Sequence, residues 1–334
     1  MSMNGTLTAK DLATDQDIRW CPGCGDYSIL KQMQTVLPEL GIERENLVFI
    51  SGIGCSSRFP YYMNSYGMHS IHGRAPSVAS GLKAANPNLS VWVVTGDGDA
   101  LSIGGNQLIH LLRRNFDINI LLFNNEIYGL TKGQYSPTSQ IGKYTKSSPL
   151  GSIDHPFNPS ALALGADATF VARSMDRDPI HMREILRQAH QHKGTSFVEI
   201  YQNCNVFNDG AFEKFTDKKQ KDSTTIKLEA GQPITFEGGQ KGLRLNGLKP
   251  EVVELTEGQS LNDLWIHDPK DPTKAHLLSR MFGDESPRPF GVLYQEERFT
   301  YEDAMQNQLE KAKSTQGEPD LDKLIRGKNS WVVE

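Results

Sequence analysis

The chain has 334 residues, of which 37% are hydrophobic and 22% are charged, and its formal net charge at pH 7 is −5. This composition is typical of a soluble protein with one large domain or two modest ones. The negative net charge argues against a surface that binds nucleic acid, and no apolar run approaches the length of a membrane span. The first 20 residues lack a basic segment followed by an apolar one, so a cytoplasmic location is predicted.

Two cysteines flank a Pro-Gly pair near the start of the chain. Residues 1–18 are polar and are predicted to form an N-terminal arm, and the sequence WCPGCG follows at 20–25. A helix is predicted over 27–37 and an apolar strand over 47–50. That strand leads into the glycine-rich loop SGIGCSSR, which carries a third cysteine, Cys55.

Two histidines occur in the segment HSIHGRAP at 69–76, which precedes a helix of small residues predicted over 77–85. A histidine beside a loop is more often a surface or capping residue than a catalytic one. From the residues alone, this segment therefore has no assigned role.

The clearest pattern lies in residues 91–134. An apolar, β-branched strand is predicted over 91–95, a helix over 107–114 and a second apolar strand over 118–123. Strand, helix and strand in this order form the unit of a parallel sheet. Ligands of such sheets bind beyond the carboxyl ends of the strands.

Oxygen-bearing side chains follow both strands of this unit. Asp97 lies between two glycines directly after the first strand, and Asn125 follows the second. With the carbonyl of Ile127, they offer the oxygen ligands with which Mg²⁺ holds a diphosphate. A plain turn followed by an asparagine-rich loop is the alternative. The dinucleotide-binding fingerprint fits less well because no third glycine has the required spacing.

The pattern is weaker in the rest of the chain. Residues 135–156 are polar and too numerous for an ordinary connection, so a functional loop or a lid is predicted there. The further predicted elements are helices over 158–165, 179–192, 275–281 and 301–313 and strands over 168–171, 196–201 and 289–294. From residue 207 the sequence is charged and weakly periodic, which does not indicate a second α/β domain.

All four cysteines lie after predicted strands or in glycine-rich loops. Four are too few for a disulfide scaffold in a chain of this length. Cys21 and Cys24 alone would make a redox pair, whereas structural zinc usually draws on two close pairs. Buried cysteines without a role and an iron–sulfur cluster on four thiolates are the other interpretations. Spacing alone leaves these alternatives open.

The sequences GDGD at 96–99 and NNEIYGLTKGQ at 124–134 resemble the thiamine diphosphate motif of the β subunits of 2-oxoacid:ferredoxin oxidoreductases. The resemblance extends over roughly residues 15–210. It implies an α/β fold with a parallel sheet and helices on both faces. The implied domain that binds thiamine diphosphate and the cluster covers 19–206, and 207–334 would form an irregular C-terminal extension that covers the cluster or contacts another subunit.

The same resemblance implies the cofactor ligands. It implies Mg²⁺ ligation by Asp97, Asn125 and the carbonyl of Ile127, and one [4Fe–4S] cluster on Cys21, Cys24, Cys55 and Cys204. His72 belongs to a His-Gly-Arg-Ala loop beside the diphosphate and is predicted to contact the diphosphate or a reaction intermediate. The complete set of implied contacts to the cofactor is Gly54, Ser56, His72, Gly96, Asp97, Gly98, Asp99, Asn125, Gly129, Leu130 and Thr131.

The implied activity is the oxidative decarboxylation of a 2-oxoacid with coenzyme A as co-substrate and ferredoxin as electron acceptor. Arg58 and Lys132 are predicted to bind a second substrate carboxylate, which favours 2-oxoglutarate, converted to succinyl-CoA and CO2 or formed in the reverse reaction. The alternative to this substrate role is that each cation pairs with a nearby acidic side chain or with a diphosphate oxygen. The competing functions are a pyruvate or broad 2-oxoacid oxidoreductase, a non-redox thiamine decarboxylase subunit, and an iron–sulfur electron-transfer protein.

One part of such an enzyme is missing from the predicted elements. Activation of thiamine diphosphate requires a carboxylate against its pyrimidine ring, normally on a second α/β domain. An α subunit that carries this domain is therefore predicted, in an αβ heterodimer or a dimer of heterodimers, and the chain alone is expected to be inactive.

Overall fold

The computed structural model describes residues 7–255, 261–283 and 286–333. In these ranges strands and helices alternate along most of the chain. The strands are β1 Leu47–Ser51, β2 Tyr66–His69, β3 Ser90–Gly96, β4 Ile118–Asn124, β5 Phe170–Met175, β6 Ser196–Tyr201, β7 Thr225–Lys227, β8 Thr235–Phe236, β9 Lys241–Asn246, β10 Lys249–Glu254 and β11 Arg288–Gln295.

Within the described residues, eight of these strands form one sheet in the order β2-β1-β3-β4-β6-β5-β11-β7. The six strands from β2 to β5 in this order run parallel to one another, and β11 pairs antiparallel with β5. Strands β3 and β4 are neighbours, with Gly96 opposite Phe123. The predicted βαβ unit is therefore confirmed, and the residues that follow its two strands lie side by side.

Helices cover both faces of the sheet. The longer ones are α1 Asp26–Val36, α2 Ala75–Ala85, α4 Gly105–Arg114, α5 Pro159–Gly165, α6 Pro179–Gln191, α9 Pro272–Arg280 and α10 Tyr301–Gln316, and the short ones are α3 Asp97–Leu101, α7 Glu213–Thr216, α8 Lys221–Thr224 and α11 Leu321–Arg326. Helices α1 and α6 pack on one face, and α2, α4 and α5 on the other. All seven residues of β4 are buried, as expected for a strand covered on both faces. The predicted fold class is confirmed.

Local sequence explains where several helices begin. The side chain of Asn158 accepts a hydrogen bond from the backbone N–H of Ala161 at the start of α5, and Asp178 does the same for His181 at the start of α6. Each helix also has proline in its first turn, where a missing N–H costs nothing. These signals lie within one to three residues of the predicted helix starts.

The GDGD sequence is not a simple turn. Gly96 caps the short helix α3, and Asp97 is its first residue. Because the first N–H groups of a helix lack partners within it, the segment directs backbone donors as well as the Asp97 carboxylate toward the edge of the sheet.

The segment after residue 207 contributes to the main sheet. Strand β11 extends the sheet beyond β5, and β7 pairs with β11 to form the last strand. The strands β8, β9 and β10 form a separate antiparallel sheet over a third apolar cluster, which includes Trp265 and Leu278. The sequence predicts the β11 strand but not its position, because its partner β5 lies more than a hundred positions earlier in the chain.

Among the described residues, no helix combines the length and the apolar character needed to cross a membrane.

A buried ion pair holds the centre of the sheet together. The Arg173 guanidinium Nε on β5 lies 2.9 Å from Glu199 Oε2 on β6, and both side chains are fully buried. Arg173 also donates to the carbonyl of Pro289 on β11 and to Ser160 on α5. One side chain therefore connects β5, β6, β11 and α5.

We expect Arg173→Met to lower the free energy of unfolding by about 3–5 kcal/mol, because it leaves the Glu199 carboxylate buried without its charged partner. Urea denaturation measures this loss. Arg187→Met is the matched control, since Arg187 pairs with Glu39 at the surface and its loss should cost about 1 kcal/mol or less. Equal losses in the two variants would contradict a special role for the buried pair.

Candidate active site

One cavity lies at the carboxyl ends of β1, β3 and β4. Its lining includes every residue for which the sequence resemblance implies a contact to thiamine diphosphate, together with Cys55 and Ile127: Gly54, Ser56, His72, Gly96, Asp97, Gly98, Asp99, Asn125, Gly129, Leu130 and Thr131. The chain therefore brings these residues together from four separate loops. Their contacts to a cofactor stay a prediction.

Asp97 is buried at the base of this cavity, with 2% of its surface exposed. Its Oδ2 atom accepts hydrogen bonds from the hydroxyls of Ser136 and Thr138, each at 2.5 Å. Removal from water raises the pKa of the Asp97 carboxyl to about 6, although these hydrogen bonds act in the opposite direction. A cation bound to this carboxylate would offset the cost of its burial.

Asn125 is held in one orientation. Its amide Nδ2 donates to Gln202 Oε1 at 2.9 Å, and its Oδ1 accepts from the backbone N–H of Ile127 at 3.2 Å. Between them, Glu126 has a positive φ of 55°, a left-handed conformation that is uncommon for a residue with a side chain. The carbonyl of Glu126 accepts a hydrogen bond from Ser139, which fixes this turn.

Asp97, Asn125 and Ile127 all line this cavity. They offer a carboxylate, an amide oxygen and a backbone carbonyl, which are hard ligands suited to Mg²⁺. This donor set, with the buried carboxylate at its centre, fits a magnesium ion that holds a diphosphate.

Gly98 is required by a neighbouring aromatic ring. A Cβ atom at this position would lie 2.2 Å from Cε1 of Tyr128, whose hydroxyl donates to the carbonyl of Gly98 at 3.1 Å. The close approach of Tyr128 therefore explains a glycine at this position.

Asp99 holds two loops against α3. Its Oδ1 accepts the backbone N–H groups of Ile53 and Gly73, and its Oδ2 accepts the hydroxyl of Thr95. His72 Nδ1 lies 2.7 Å from Asp99 Oδ1, a close contact that lacks the alignment of a hydrogen bond. The half-exposed His72 ring is therefore fixed at the cavity wall by a buried carboxylate.

Two of the cysteines, Cys55 and Cys204, lie at the wall of the same cavity. A Cβ atom at Gly129 would lie 3.5 Å from Cys204 Sγ and 3.6 Å from Cys55 Sγ, so the two thiols approach the chain at a residue without a side chain. All four cysteines are free thiols; Cys21 is exposed, and the others are partly buried.

The four thiols form one electrostatic neighbourhood. Burial, with smaller contributions from Asp26, Cys204 and Cys21, raises the pKa of the Cys55 thiol to about 12. Burial also raises the pKa of Cys24, with contributions from Asp26, Cys204 and Cys55. The positive charge of bound iron would stabilise the thiolates and so offset the free-energy cost of ionising these buried thiols.

In the part of the chain that the structure describes, no three His, Cys, Asp or Glu side chains converge on a single metal ion. Each thiolate of a four-iron cluster binds a different iron atom, so its ligands surround a common volume instead of one point. Four neighbouring thiols, with Gly129 leaving space between two of them, fit such a cluster.

Comparison with known proteins identifies the family. Residues 52–200 match the family described as thiamine pyrophosphate enzyme, C-terminal TPP binding domain. The chain is 52% identical over 331 residues to the 2-oxoglutarate oxidoreductase subunit KorB of Mycobacterium tuberculosis. The match covers 97% of this chain and 88% of the relative. It is 38% identical to the 2-oxoacid:ferredoxin oxidoreductase subunit beta of Saccharolobus solfataricus, over 85% of this chain and 84% of the relative. The chain belongs to the 2-oxoacid:ferredoxin oxidoreductase β subunits.

A solved structure agrees with this assignment. The 2-oxoglutarate:ferredoxin oxidoreductase of Magnetococcus marinus, solved with 2-oxoglutarate, coenzyme A and succinyl-CoA bound, superposes with a TM-score of 0.75. It is 32% identical, and the match covers 97% of this chain and 96% of that chain. The agreement includes the C-terminal strands as well as the cofactor-binding part of the β subunit.

The two cations predicted to bind substrate occupy different positions in this β subunit. Arg58 lines a second cavity of about 450 Å³ beside the first, and the two cavities share Ile53, Gly54 and Leu130. Lys132 is exposed, has a positive φ of 75° and lines neither of these two cavities. Arg58 is thus adjacent to the cofactor cavity, and the structure does not bring Lys132 to the same place. Their roles in substrate binding stay predictions.

Sequence reasoning misses four residues that contact the predicted metal ligands. Ser136 and Thr138 donate hydrogen bonds to Asp97, and Gln202 accepts one from Asn125. Asn208 donates to the carbonyl of Asn125 at 2.8 Å. The hydroxyl-rich sequence SPTS at 136–139 was a usable signal, since it lies in the long loop after the motif. Gln202 directly follows the predicted strand 196–201, but the sequence does not show that this strand lies beside β4.

We expect Gly98→Ala to destabilise the fold by about 1–3 kcal/mol, because the new methyl group would overlap the Tyr128 ring. It should also weaken thiamine diphosphate retention, since α3 carries Asp97. Thermal denaturation and bound thiamine measure the two effects. Gly81→Ala in α2 is the control: its Cβ meets nothing within 4 Å, so neutral or slightly increased stability is expected. Unchanged stability of both variants would show that the Tyr128 ring moves aside for the added methyl group at no measurable cost in stability.

Proposed function

We propose that this chain is the β subunit of a 2-oxoglutarate:ferredoxin oxidoreductase, which converts 2-oxoglutarate, coenzyme A and oxidised ferredoxin to succinyl-CoA, CO2 and reduced ferredoxin, or catalyses the reverse. The observation that carries the proposal is that two sets of metal ligands, here called the donor sets, lie at one cavity. One set consists of oxygens suited to Mg²⁺, and the other consists of cysteine thiols suited to an iron–sulfur cluster. Magnesium-type oxygens lie at its base and two of the four thiols lie at Gly129 in its wall. The names and ligands of the relatives support the substrate.

Each donor set has a separate task. Asp97, Asn125 and the Ile127 carbonyl would hold Mg²⁺ and through it the diphosphate, and Cys21, Cys24, Cys55 and Cys204 would hold the [4Fe–4S] cluster. When bound, thiamine diphosphate supplies a nucleophilic carbon that attacks the 2-oxo group and accepts the electron pair left by departing CO2. His72, fixed by Asp99 at the cavity wall, is placed to contact the diphosphate or the reacting group.

The position of the cysteines supports electron transfer. Cys55 lines the cavity itself, and Cys204 approaches Gly129 from the same side as Cys55, since a Cβ atom at Gly129 would lie 3.5 Å from Cys204 Sγ and 3.6 Å from Cys55 Sγ. A cluster on these thiolates would lie in the wall of the cofactor site. Electrons from the cofactor site would therefore reach the cluster without passing through a second protein. The proposed acceptor is ferredoxin.

The surface around the cavity supports a partner subunit. Tyr61, Ile71, Ile103 and Leu130 are large apolar side chains that are exposed near its rim. Exposed apolar side chains rimmed by polar ones are typical of protein interfaces. We propose that an α subunit covers this rim and supplies the carboxylate for the pyrimidine ring, in an αβ or α2β2 assembly, and that the complex is cytoplasmic.

A broader substrate range is the second candidate. It is favoured by the Saccharolobus solfataricus relative, whose name specifies a 2-oxoacid rather than 2-oxoglutarate. Arg58 would discriminate between the two candidates, because a guanidinium near the cavity would favour a substrate with a second carboxylate.

Anaerobic purification of the αβ complex followed by visible spectroscopy tests the activity. We expect a brown protein whose absorbance bleaches when 2-oxoglutarate and coenzyme A are added. The Asp97→Ala variant should stay brown, contain no thiamine and fail to bleach, because it loses the central magnesium ligand and keeps all four cysteines. A colourless wild-type complex would exclude the cluster, and normal thiamine content in Asp97→Ala would exclude the magnesium assignment.

Steady-state kinetics with two substrates tests the specificity. We expect Arg58→Ala to raise KM at least tenfold for 2-oxoglutarate and to leave KM for pyruvate nearly unchanged, since a charge-assisted contact of about 1.5–3 kcal/mol is lost. Arg19→Ala is the matched control, because Arg19 lines the same second cavity but pairs with Asp17 at the surface. Equal effects of Arg58→Ala on both substrates would remove Arg58 from carboxylate recognition.

A further inference from the structure

Gln202 occupies the point where the two donor sets meet. It follows β6 directly and is buried, with 1% of its surface exposed. Its backbone N–H donates to the carbonyl of Asn124 at 2.9 Å, so it continues the pairing of β6 with β4. This pairing fixes the backbone of Gln202 beside the residue that precedes Asn125.

The side chain of Gln202 contacts a predicted ligand of each centre. Its Oε1 accepts from Asn125 Nδ2 at 2.9 Å, and its Nε2 donates to Cys24 Sγ at 3.4 Å. The second hydrogen of Nε2 is donated to the backbone carbonyl of Asn203. One buried amide thus connects a magnesium-type ligand with a cluster-type ligand.

The orientation of this amide follows from hydrogen-bond chemistry. A backbone carbonyl only accepts, so the amide nitrogen of Gln202 must face Asn203. The amide oxygen then faces Asn125, which must present its nitrogen in return. As a consequence Asn125 Oδ1 is turned away from Gln202 and accepts from the backbone N–H of Ile127 at 3.2 Å. Asn125, Ile127 and Asp97 all line the cavity.

We propose that Gln202 is a positioning residue that serves both centres, by orienting Asn125 for the metal and by donating a hydrogen bond to the Cys24 thiolate of the cluster. The inference rests on the proposed function. It assigns to one side chain two effects that are measurable separately.

Each effect has a general physical basis. Partners of metal ligands orient those ligands, and their loss typically reduces affinity by about 10–100-fold. Hydrogen bonds to cluster sulfurs help set the reduction potential, and a donor favours the reduced form because that form carries more negative charge. Loss of Gln202 should therefore weaken magnesium–thiamine binding and lower the potential of the cluster.

The experiment compares Gln202→Leu with the wild type in the anaerobic αβ complex. Iron content is measured first. The affinity for thiamine diphosphate with Mg²⁺ is then measured by calorimetry on the cofactor-depleted complex, and the cluster potential by a redox titration followed by electron paramagnetic resonance. We expect iron to be retained, the cofactor affinity to fall about tenfold and the potential to shift downward.

Two further variants separate these effects from general damage. Gln32→Leu is the matched control, because Gln32 is also buried but contacts Arg183 on α6 instead of either centre, and it should change neither quantity. Gln202→Glu keeps an oxygen for Asn125 and loses the donor to Cys24. It should lower the potential with a smaller loss of cofactor affinity than Gln202→Leu.

The outcomes distinguish this inference from the proposed function. A wild-type complex without iron or without thiamine binding would overturn the proposed function. A wild-type complex with both, combined with a Gln202→Leu variant that matches Gln32→Leu in affinity and potential, would overturn the role of Gln202 alone. A change in only one of the two quantities would also overturn it, since the proposal requires both.

Discussion

The burial of the Asp97 carboxylate is the constraint around which the site is built. A carboxylate out of water needs donors or a cation, and the chain supplies the hydroxyls of Ser136 and Thr138 from a loop that follows the second strand. The Thr138 hydroxyl also lies 2.9 Å from Asn124 Oδ1, and Asn124 donates to Glu199. Through Glu199 the network reaches the buried Arg173. The proposed metal site and the centre of the sheet therefore share one set of polar contacts.

Such a network acts on position as much as on stability. Leaving a buried polar group without its partner costs more free energy than the hydrogen bond itself contributes. Each residue of the network therefore restricts where its hydrogen-bond partners lie. Asn125 illustrates this at the cavity. Gln202, Asn208 and the backbone of Ile127 satisfy its side chain and its carbonyl, which leaves one outward direction for the amide oxygen. A divalent ion that demands near-octahedral geometry requires ligands fixed in this way.

The sequence predicts the parts of the site that follow from strand order. Asp97 and Asn125 come after two consecutive strands, and parallel strands with a helical crossover are commonly neighbours, so their proximity follows from local pattern. Gln202 and Ser136 escape prediction because their contacts depend on which strand lies beside β4 and on the path of a long loop. The position of β11 and the separation of Lys132 from Arg58 have the same cause: each depends on tertiary placement that periodicity does not encode.

The two proposed centres share one edge of the sheet for a topological reason. Strands β4 and β6 are neighbours, so Asn125 after one strand lies beside Gln202 after the other, and Cys204 follows Gln202 by two residues. The helix α1 then brings Cys24 to the same edge, because the N–H of Gly25 donates to the Asn203 carbonyl. That carbonyl also accepts from Gln202, so the loop that carries Cys24 and the side chain that orients Asn125 are fixed by the same atom. A displacement of either loop would alter both donor sets, which is why the geometry of one cannot change independently of the other.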